Sequence, residues 1–140
     1  MRLLITDPLC IVVDAQDVRA IRAEDESGGF GILPGHADFL TTLTLSVVAW
    51  RDAAGSSRFC AVRRGILTVS GGQDVRLATR EAHPGDDPDE LVSVVLAGYR
   101  AQTDAERSAS TAAARLRMQA IRRIVDLLDT GRATGAELFR

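Results

Sequence analysis

Residues 28–41 read GGFGILPGHADFLT and are the most constrained stretch of this 140-residue chain. They contain four glycines, one proline and one histidine. Glycine is favoured where the backbone takes a positive φ or approaches another group closely, whereas proline fixes φ and removes a hydrogen-bond donor. The stretch therefore predicts a defined backbone shape and not a flexible linker.

Short segments rich in Val, Ile, Leu and Thr lie on both sides of this stretch, between residue 1 and about residue 82. Turn signals separate them, and strands are predicted at 3–6, 10–13, 18–23, 47–51, 58–62, 66–69 and 75–79. A hairpin loop is expected at 52–57, and Gly71-Gly72 predicts a tight turn with positive φ. Short strands at this spacing favour an antiparallel sandwich or barrel. Which strand faces are buried stays open, because hydrophobic alternation is clear only in residues 75–80.

Residues 83–88, HPGDDP, mark a break in this pattern. Their two prolines and one glycine predict that no strand continues through them. Asp87 fits the N-cap of a helix, Pro88 fits its first position, and Glu90 fits the acid of a capping box. The chain is therefore divided into a β-sandwich domain at residues 1–84 and a helical arm at residues 85–140.

The arm carries apolar residues at helical spacing between residues 113 and 128, and Gly131 is expected to end the helix. Thr103 and Glu106 form a second possible capping box, which would divide the arm into two helices. A hairpin of two helices is favoured over one continuous helix, although no Gly or Pro marks the turn between them. The chain as a whole is predicted to be α+β and mainly β.

Composition limits the classes of function. The net charge is −2, so no broad basic face for nucleic acid is implied. Cys10 and Cys60 are far apart and match no zinc-binding pattern, and a reducing compartment is expected. The N-terminus lacks the pattern of a signal peptide, and no apolar run approaches the ~20 residues of a membrane span. The chain is therefore expected to act at a membrane only through a partner.

The glycines Gly29, Gly31 and Gly35 invite a dinucleotide-binding interpretation. This interpretation is disfavoured, because the third glycine comes one residue late, Pro34 lies inside the loop, and strand-like residues follow. The pattern GxxxxGK followed by Ser or Thr is absent, and all 17 basic residues are Arg. A phosphate loop for ATP hydrolysis is therefore excluded.

His36 is a titratable group in this constrained setting. It could act as a general base or a ligand, with Asp38 to orient it, but no Ser, Cys or Asp stands in a nucleophile-elbow context and no second histidine lies nearby in the sequence. A role in fixing the turn or in a protein interface is favoured. The acids at residues 24–26 could hold calcium, but they lack the ligand spacing of a calcium loop, so a solvated loop is favoured.

The arm also carries a cluster of basic residues. It forms either a solvated helix face or a docking strip for acidic loops of a partner, and its members are Arg115, Arg117, Arg122 and Arg123. Taken alone, the residues predict an interaction module with no catalytic group, no metal and no cofactor.

The chain also resembles the epsilon subunit of rotary F-type ATP synthases. The resemblance is carried by GILPGHA at residues 31–37, by Leu40-Thr41 and, less specifically, by RGILTV at residues 64–69. Asp38 stands where that family usually has proline. With this aspartate, the segment GHADFLT is similar to the alternate N-type F-ATPases, which are thought to translocate sodium.

This resemblance implies a sandwich of about ten strands with a helical arm, in a non-catalytic subunit that binds the gamma subunit and the ring of c subunits. The c-ring contact is implied for Glu26, Ser27, Gly28, Gly29 and Phe30, and the gamma contact for His36 and Asp38. The arm would dock transiently on alpha and beta subunits through Arg115, Arg122 and Arg123, and could inhibit hydrolysis. The chain would be peripheral, at the cytoplasmic face of the cell membrane.

Binding of ATP is not part of what the resemblance implies here. Residues 104–108, DAERS, match only part of the (I/L)DxxRA pattern with which some family members bind ATP. The alternative function is a free-standing β-sandwich interaction module with a helical docking arm. An enzyme is a more distant alternative, which would require a turnover that is lost on changing His36 or Asp38.

Overall fold

A computed structural model describes the backbone of residues 1–138 and the side chains of residues 1–128. Its strands are β1 (Arg2–Thr6), β2 (Ile11–Ala15), β3 (Ala20–Asp25), β4 (Gly28–Ile32), β5 (Phe39–Arg51), β6 (Ser57–Ser70) and β7 (Asp74–Gly85). Helix α1 (Pro88–Glu90), a π-helical segment (Leu91–Leu96) and helix α2 (Ala97–Leu138) follow. The chain forms two compact units, residues 1–100 and residues 101–140.

The seven strands form one sheet in the order β2-β1-β7-β6-β5-β3-β4. The mainly β fold class is confirmed, but the expected number of about ten strands is wrong. The number is lower because β5 and β6 are 13 and 14 residues long, and β6 joins two segments predicted as separate strands. The glycine-rich β4 was not predicted.

One pair of neighbouring strands departs from the antiparallel expectation. β1 pairs with β7 in parallel, from Arg2 opposite Asp74 to Thr6 opposite Ala78. Parallel neighbours need a long connection, and here all the strands between them provide it. The order of the strands along the sequence does not predict this pairing, because β1 and β7 are far apart in the chain.

The hydrophobic alternation is irregular because β6 changes the face that it buries. Cys60 and Val62 are buried in its first half, and Leu67 and Val69 in its second half, so the inward side chains pass from even to odd positions. Arg64 lies at the change with a φ of 50°. The register of β6 with β5 and with β7 is the same on both sides of Arg64, so the change is a local turn of the backbone and not a bulge with an extra residue. One strand can thereby contribute to the core along its whole length.

The predicted break at residues 83–88 is wrong in its first part. Strand β7 continues to Gly85, with His83 opposite Ala61 and Pro84 opposite Cys60 of β6. On its other side, β7 pairs with β1 only as far as Ala78. Pro84 therefore lies on an edge of the sheet, where the missing N–H leaves no ladder bond unmade.

The start of the helical region was predicted correctly. The Asp87 side chain accepts a hydrogen bond from the Asp89 backbone N at 2.9 Å, and Pro88 occupies the first turn. Leu91 is buried at 2% exposure and packs on Gly85, where an added Cβ would lie 3.0 Å from its Cδ2. The first helical turns therefore belong to the same compact unit as the sheet.

Helix α2 is continuous from Ala97 to Leu138, so the favoured helical hairpin is wrong. Neither Thr103 and Glu106 nor Gly131 interrupts it. No Gly or Pro occurs between residues 99 and 130, and the Ala-rich segment at residues 108–114 has high helix propensity. None of the described helices has the length and apolar character needed to cross a membrane.

Candidate interaction site

The β3–β4 turn brings the predicted c-ring residues to the surface. Asp25 pairs with Gly28, so Glu26 and Ser27 form the tip of a two-residue turn. Gly28 has a φ of 122°, which an L-residue rarely adopts, and this explains the glycine at that position. Glu26, Ser27 and Gly29 are exposed. The turn therefore presents one carboxylate, one hydroxyl and bare backbone.

The neighbouring 33–38 loop, between β4 and β5, is held against the β6–β7 turn. The Gly35 N donates a hydrogen bond to the Gly72 O at 2.8 Å, and both residues have positive φ. The Asp38 carboxylate accepts a hydrogen bond from the Gly71 N at 2.7 Å. This bond accounts for Asp38, because its carboxylate joins two turns that are far apart in the sequence.

His36 does not share its hydrogen bond with Asp38. Its Nδ1 lies 2.8 Å from the Ala37 carbonyl oxygen, and its backbone N donates to the Leu33 carbonyl at 3.1 Å. The ring is partly exposed and makes an edge contact with Phe39, with ring centroids 5.9 Å apart. This arrangement fits a turn-fixing or surface-contact role for His36.

Phe39 joins the two predicted contact regions. It contacts His36 on one side and Phe30 on the other, the Phe30 and Phe39 centroids being 5.6 Å apart at an interplanar angle of 70°. Phe30 is half-buried and packs against the core, so it is less exposed than a free surface anchor. The structure thus brings the β3–β4 turn and the 33–38 loop together around one aromatic ring, which the sequence analysis did not single out.

Asp25 is a second residue that the sequence analysis missed as a functional position. Its carboxylate accepts hydrogen bonds from the Ser27 N at 2.9 Å and from the Thr41 hydroxyl at 2.7 Å. The bonds from Ser27 and Thr41 lower the pKa of the Asp25 carboxyl. An aspartate before a two-residue turn with Ser is a local signal that could have pointed to the first bond. No local signal points to the second bond, which comes from the Thr41 hydroxyl.

The basic residues of the arm belong to the second compact unit. Arg115, Arg122 and Arg123 are exposed on α2, seven and eight residues apart and hence on one helix face. Large apolar side chains are also exposed along this helix, including Leu116, Met118, Ile121, Ile124, Leu127 and Leu128.

The described residues of the chain include no group of three or more His, Cys, Asp or Glu that could hold a metal ion.

The β domain of this chain matches a known protein family. The family described as ATP synthase, Delta/Epsilon chain, beta-sandwich domain matches residues 1–85. The ATP synthase epsilon chain 2 of Paraburkholderia xenovorans is 43% identical over 132 residues, which are 94% of this chain and 95% of that protein. The ATP synthase epsilon chain 2 of Cereibacter sphaeroides is 42% identical over 138 residues, 99% of this chain and 93% of that protein.

Two solved structures have the same fold. A chain of the Euglena gracilis mitochondrial ATP synthase, in a structure of OSCP, F1 and the c-ring, matches with a TM-score of 0.56 at 23% identity, over 64% of this chain and 57% of that one. The second match is a chain of the Tetrahymena thermophila mitochondrial ATP synthase, in a structure of the central stalk and c-ring. Its TM-score is 0.53 at 13% identity, and the match covers 67% of this chain and 71% of that one.

The β domain therefore places the chain in the delta/epsilon class of ATP synthase subunits. Within that class, the chain belongs to the ATP synthase epsilon chains, which are non-catalytic subunits. The resemblance carried by residues 31–37 is thereby confirmed.

Proposed function

We propose that this chain is the central-stalk subunit that couples rotation of the c ring and the gamma subunit to the catalytic head of an F-type ATP synthase. The observation that supports this most is the identity of 43% with an epsilon chain over 95% of that protein's length. As part of such a complex, the chain would be peripheral, at the cytoplasmic face of the cell membrane.

The c-ring contact is assigned to the β3–β4 turn. Its residues are Glu26, Ser27, Gly28, Gly29 and Phe30. An added Cβ at Gly28 or Gly29 would meet nothing within 4 Å, so a partner can approach the backbone there closely. The exposed Glu26 carboxylate suits polar or basic groups on the loops of the ring. Phe30 supports the turn from below through its contact with Phe39.

The gamma contact is assigned to the 33–38 loop. His36 would make the contact, because its ring is partly exposed and its backbone is fixed by a hydrogen bond to Leu33. Asp38 would act indirectly, because its carboxylate already accepts a hydrogen bond from Gly71. The aromatic contacts of Phe39 with Phe30 and His36 support the assignment of both proposed interfaces to neighbouring parts of one surface.

The arm would act on the alpha and beta subunits. Its exposed guanidinium groups at Arg115, Arg122 and Arg123 would pair with acidic loops, and its exposed apolar side chains would add buried area. A helix that docks and undocks in this way could restrain hydrolysis in one direction of rotation. The four-residue match at positions 104–107 does not extend this role to ATP binding.

A co-purification experiment tests the proposal. The tagged full-length chain is expected to recover its host's gamma subunit and c ring in fixed stoichiometry. Glu26→Arg should reduce recovery of the c ring, and His36→Ala should reduce recovery of gamma. Ala53→Arg is the control for the introduced guanidinium, because it places the same side chain in the exposed β5–β6 turn, next to the opposite end of β3. It changes the net charge by +1, whereas Glu26→Arg changes it by +2. A monomer that recovers neither partner would overturn the assignment.

A narrower proposal concerns the subgroup. Both relatives that match at more than 40% identity are named epsilon chain 2, whereas an epsilon chain of Wolinella succinogenes matches at 30% over 84 residues. The number 2 in both names fits a second epsilon chain in one organism, as an alternate F-ATPase beside the ordinary one would require, and in this way it supports membership of the alternate N-type group. ATP hydrolysis by the purified host complex should then respond to sodium; if it responds to pH alone, the subgroup assignment fails.

A further inference from the structure

The outer half of the β3–β4 hairpin lies beyond the backbone ladder that holds its inner half. Strand β3 pairs with β5 only at Ala20, Ile21 and Arg22. Residues 23–25 continue toward the turn with β4 alone as a backbone partner. A two-stranded hairpin end of this kind is only marginally stable by itself. The structure therefore needs another means of fixing the turn.

Two hydroxyl groups of β5 take the place of the missing ladder. The Ser46 hydroxyl, buried at 3% exposure, accepts a hydrogen bond from the Glu24 N at 3.2 Å. The Thr41 hydroxyl donates to the Asp25 Oδ2 at 2.7 Å. Asp25 Oδ1 accepts from the Ser27 N and the Ser27 hydroxyl. One carboxylate thus binds the tip of the turn with one oxygen and the neighbouring strand with the other.

We propose that Asp25 is the positioning residue of the β3–β4 turn, and that its bond to Thr41 sets the orientation in which the turn meets the c ring. The c-ring part of this inference rests on the proposed function. Asp25 makes no contact with the ring itself; its carboxylate acts through Ser27 and Gly28. A turn fixed before binding loses less conformational freedom when it binds, so the bond favours affinity.

Thr41 offers a matched pair of substitutions that leaves the charge of Asp25 in place. Thr41→Val removes the hydroxyl at nearly constant volume, whereas Thr41→Ser keeps it. Thr42→Val is the control, because Thr42 is exposed on the opposite face of β5. All three variants are made in the full-length chain.

Amide hydrogen exchange in the isolated chain tests the positioning step without any partner. We expect Thr41→Val to speed exchange at Ser27 and Gly28 by about threefold to tenfold, the effect of losing one hydrogen bond. Thr41→Ser and Thr42→Val should exchange like the wild type. Unchanged exchange in Thr41→Val would overturn the proposal, and so would equal acceleration in Thr41→Ser.

Binding to the purified c ring tests the second step. Thr41→Val should weaken binding by about threefold to tenfold, with Thr41→Ser restoring it. Faster exchange with unchanged ring affinity would overturn the positioning role, because the bond would then serve only the fold. If the wild type itself fails to bind the ring, the proposed c-ring contact falls, while the exchange result still decides whether Asp25 fixes the turn.

Discussion

Gly72→Ala tests the packing of the 33–38 loop against the β6–β7 turn. Gly72 has a φ of 67°, and an added Cβ would lie 2.7 Å from the Gly35 Cα and 3.1 Å from its N and C atoms. Gly71 has a similar φ of 60°, but an added Cβ there meets nothing within 4 Å. The two substitutions therefore share the backbone penalty and differ in the steric overlap alone.

The overlap sets the expected difference in stability. A left-handed backbone costs an L-residue about 1–2 kcal/mol, so Gly71→Ala should lower the free energy of unfolding by about that amount. At Gly72 the overlapping atoms are backbone and cannot rotate away. Relieving the overlap separates the two turns and breaks the 2.8 Å bond between Gly35 and Gly72, which contributes about 0.5–1.5 kcal/mol. Gly72→Ala should therefore cost about 1.5–3.5 kcal/mol in total, the sum of the backbone penalty and the lost hydrogen bond.

Urea unfolding followed by tryptophan fluorescence measures this difference. The chain has one tryptophan, Trp50, which is 8% exposed in β5 and reports on the β domain. Gly72→Ala should lower the midpoint clearly more than Gly71→Ala at the same slope. Equal shifts would refute the close approach of the two turns. If His36 makes the proposed gamma contact, Gly72→Ala should also weaken gamma binding even where the domain stays folded, because His36 follows Gly35 directly.

Three further predictions follow from other parts of the chain. Deleting residues 101–140 should leave a folded β domain that still recovers the c ring, and it should raise ATP hydrolysis by the host complex; unchanged hydrolysis would argue against an inhibitory arm. Glu81→Ala should lower the free energy of unfolding by about 3 kcal/mol, because Glu81 pairs at 2.6 Å with the buried guanidinium of Arg63. Asp86→Ala, which removes an exposed ion pair with Arg58, should change the free energy of unfolding little in the same assay. Burial raises the pKa of the Cys60 thiol in the folded chain from 9.0 to about 12. The contribution of this buried neutral thiol to the free energy of unfolding is therefore fully present below pH 9 and is lost as the pH rises from 9 to about 12. Cys60→Val should flatten this part of the stability profile, and an identical alkaline slope would contradict it.

Several elements could be predicted from the sequence because they depend on neighbouring residues. The Gly71-Gly72 turn follows from the positive φ that glycine tolerates, and the helix start follows from the carboxylate of Asp87 and the fixed φ of Pro88. The loop expected at residues 52–57 lies between β5 and β6, as predicted. These features involve residues within a few positions of each other, so a local pattern specifies them.

Other elements could not be predicted, because partners far away in the sequence decide them. Pro84 can occur in β7 only because β1 ends its pairing before reaching that point. The single long β6 needs the positive φ of Arg64 to bury side chains in both halves, and an arginine gives no sequence signal for such a conformation. The prediction for α2 was wrong for a different reason, because two local signals compete there. The continuous helix propensity, with no Gly or Pro between residues 99 and 130, overrides the capping pattern at Thr103.

The candidate site also has features that the sequence predicts and features that depend on distant partners. The sequence by itself determined that the backbone at the β3–β4 turn and in the 33–38 loop takes a defined shape, because glycine permits a positive φ that other residues rarely adopt and proline fixes φ. Through GILPGHA, it also determined to which family the chain belongs. Only the tertiary structure decided what holds those turns in place. The bond between Asp25 and Thr41 spans 16 residues, and that between Asp38 and Gly71 spans 33. Such contacts exist only after the strands have paired, since pairing brings the two groups within hydrogen-bonding distance.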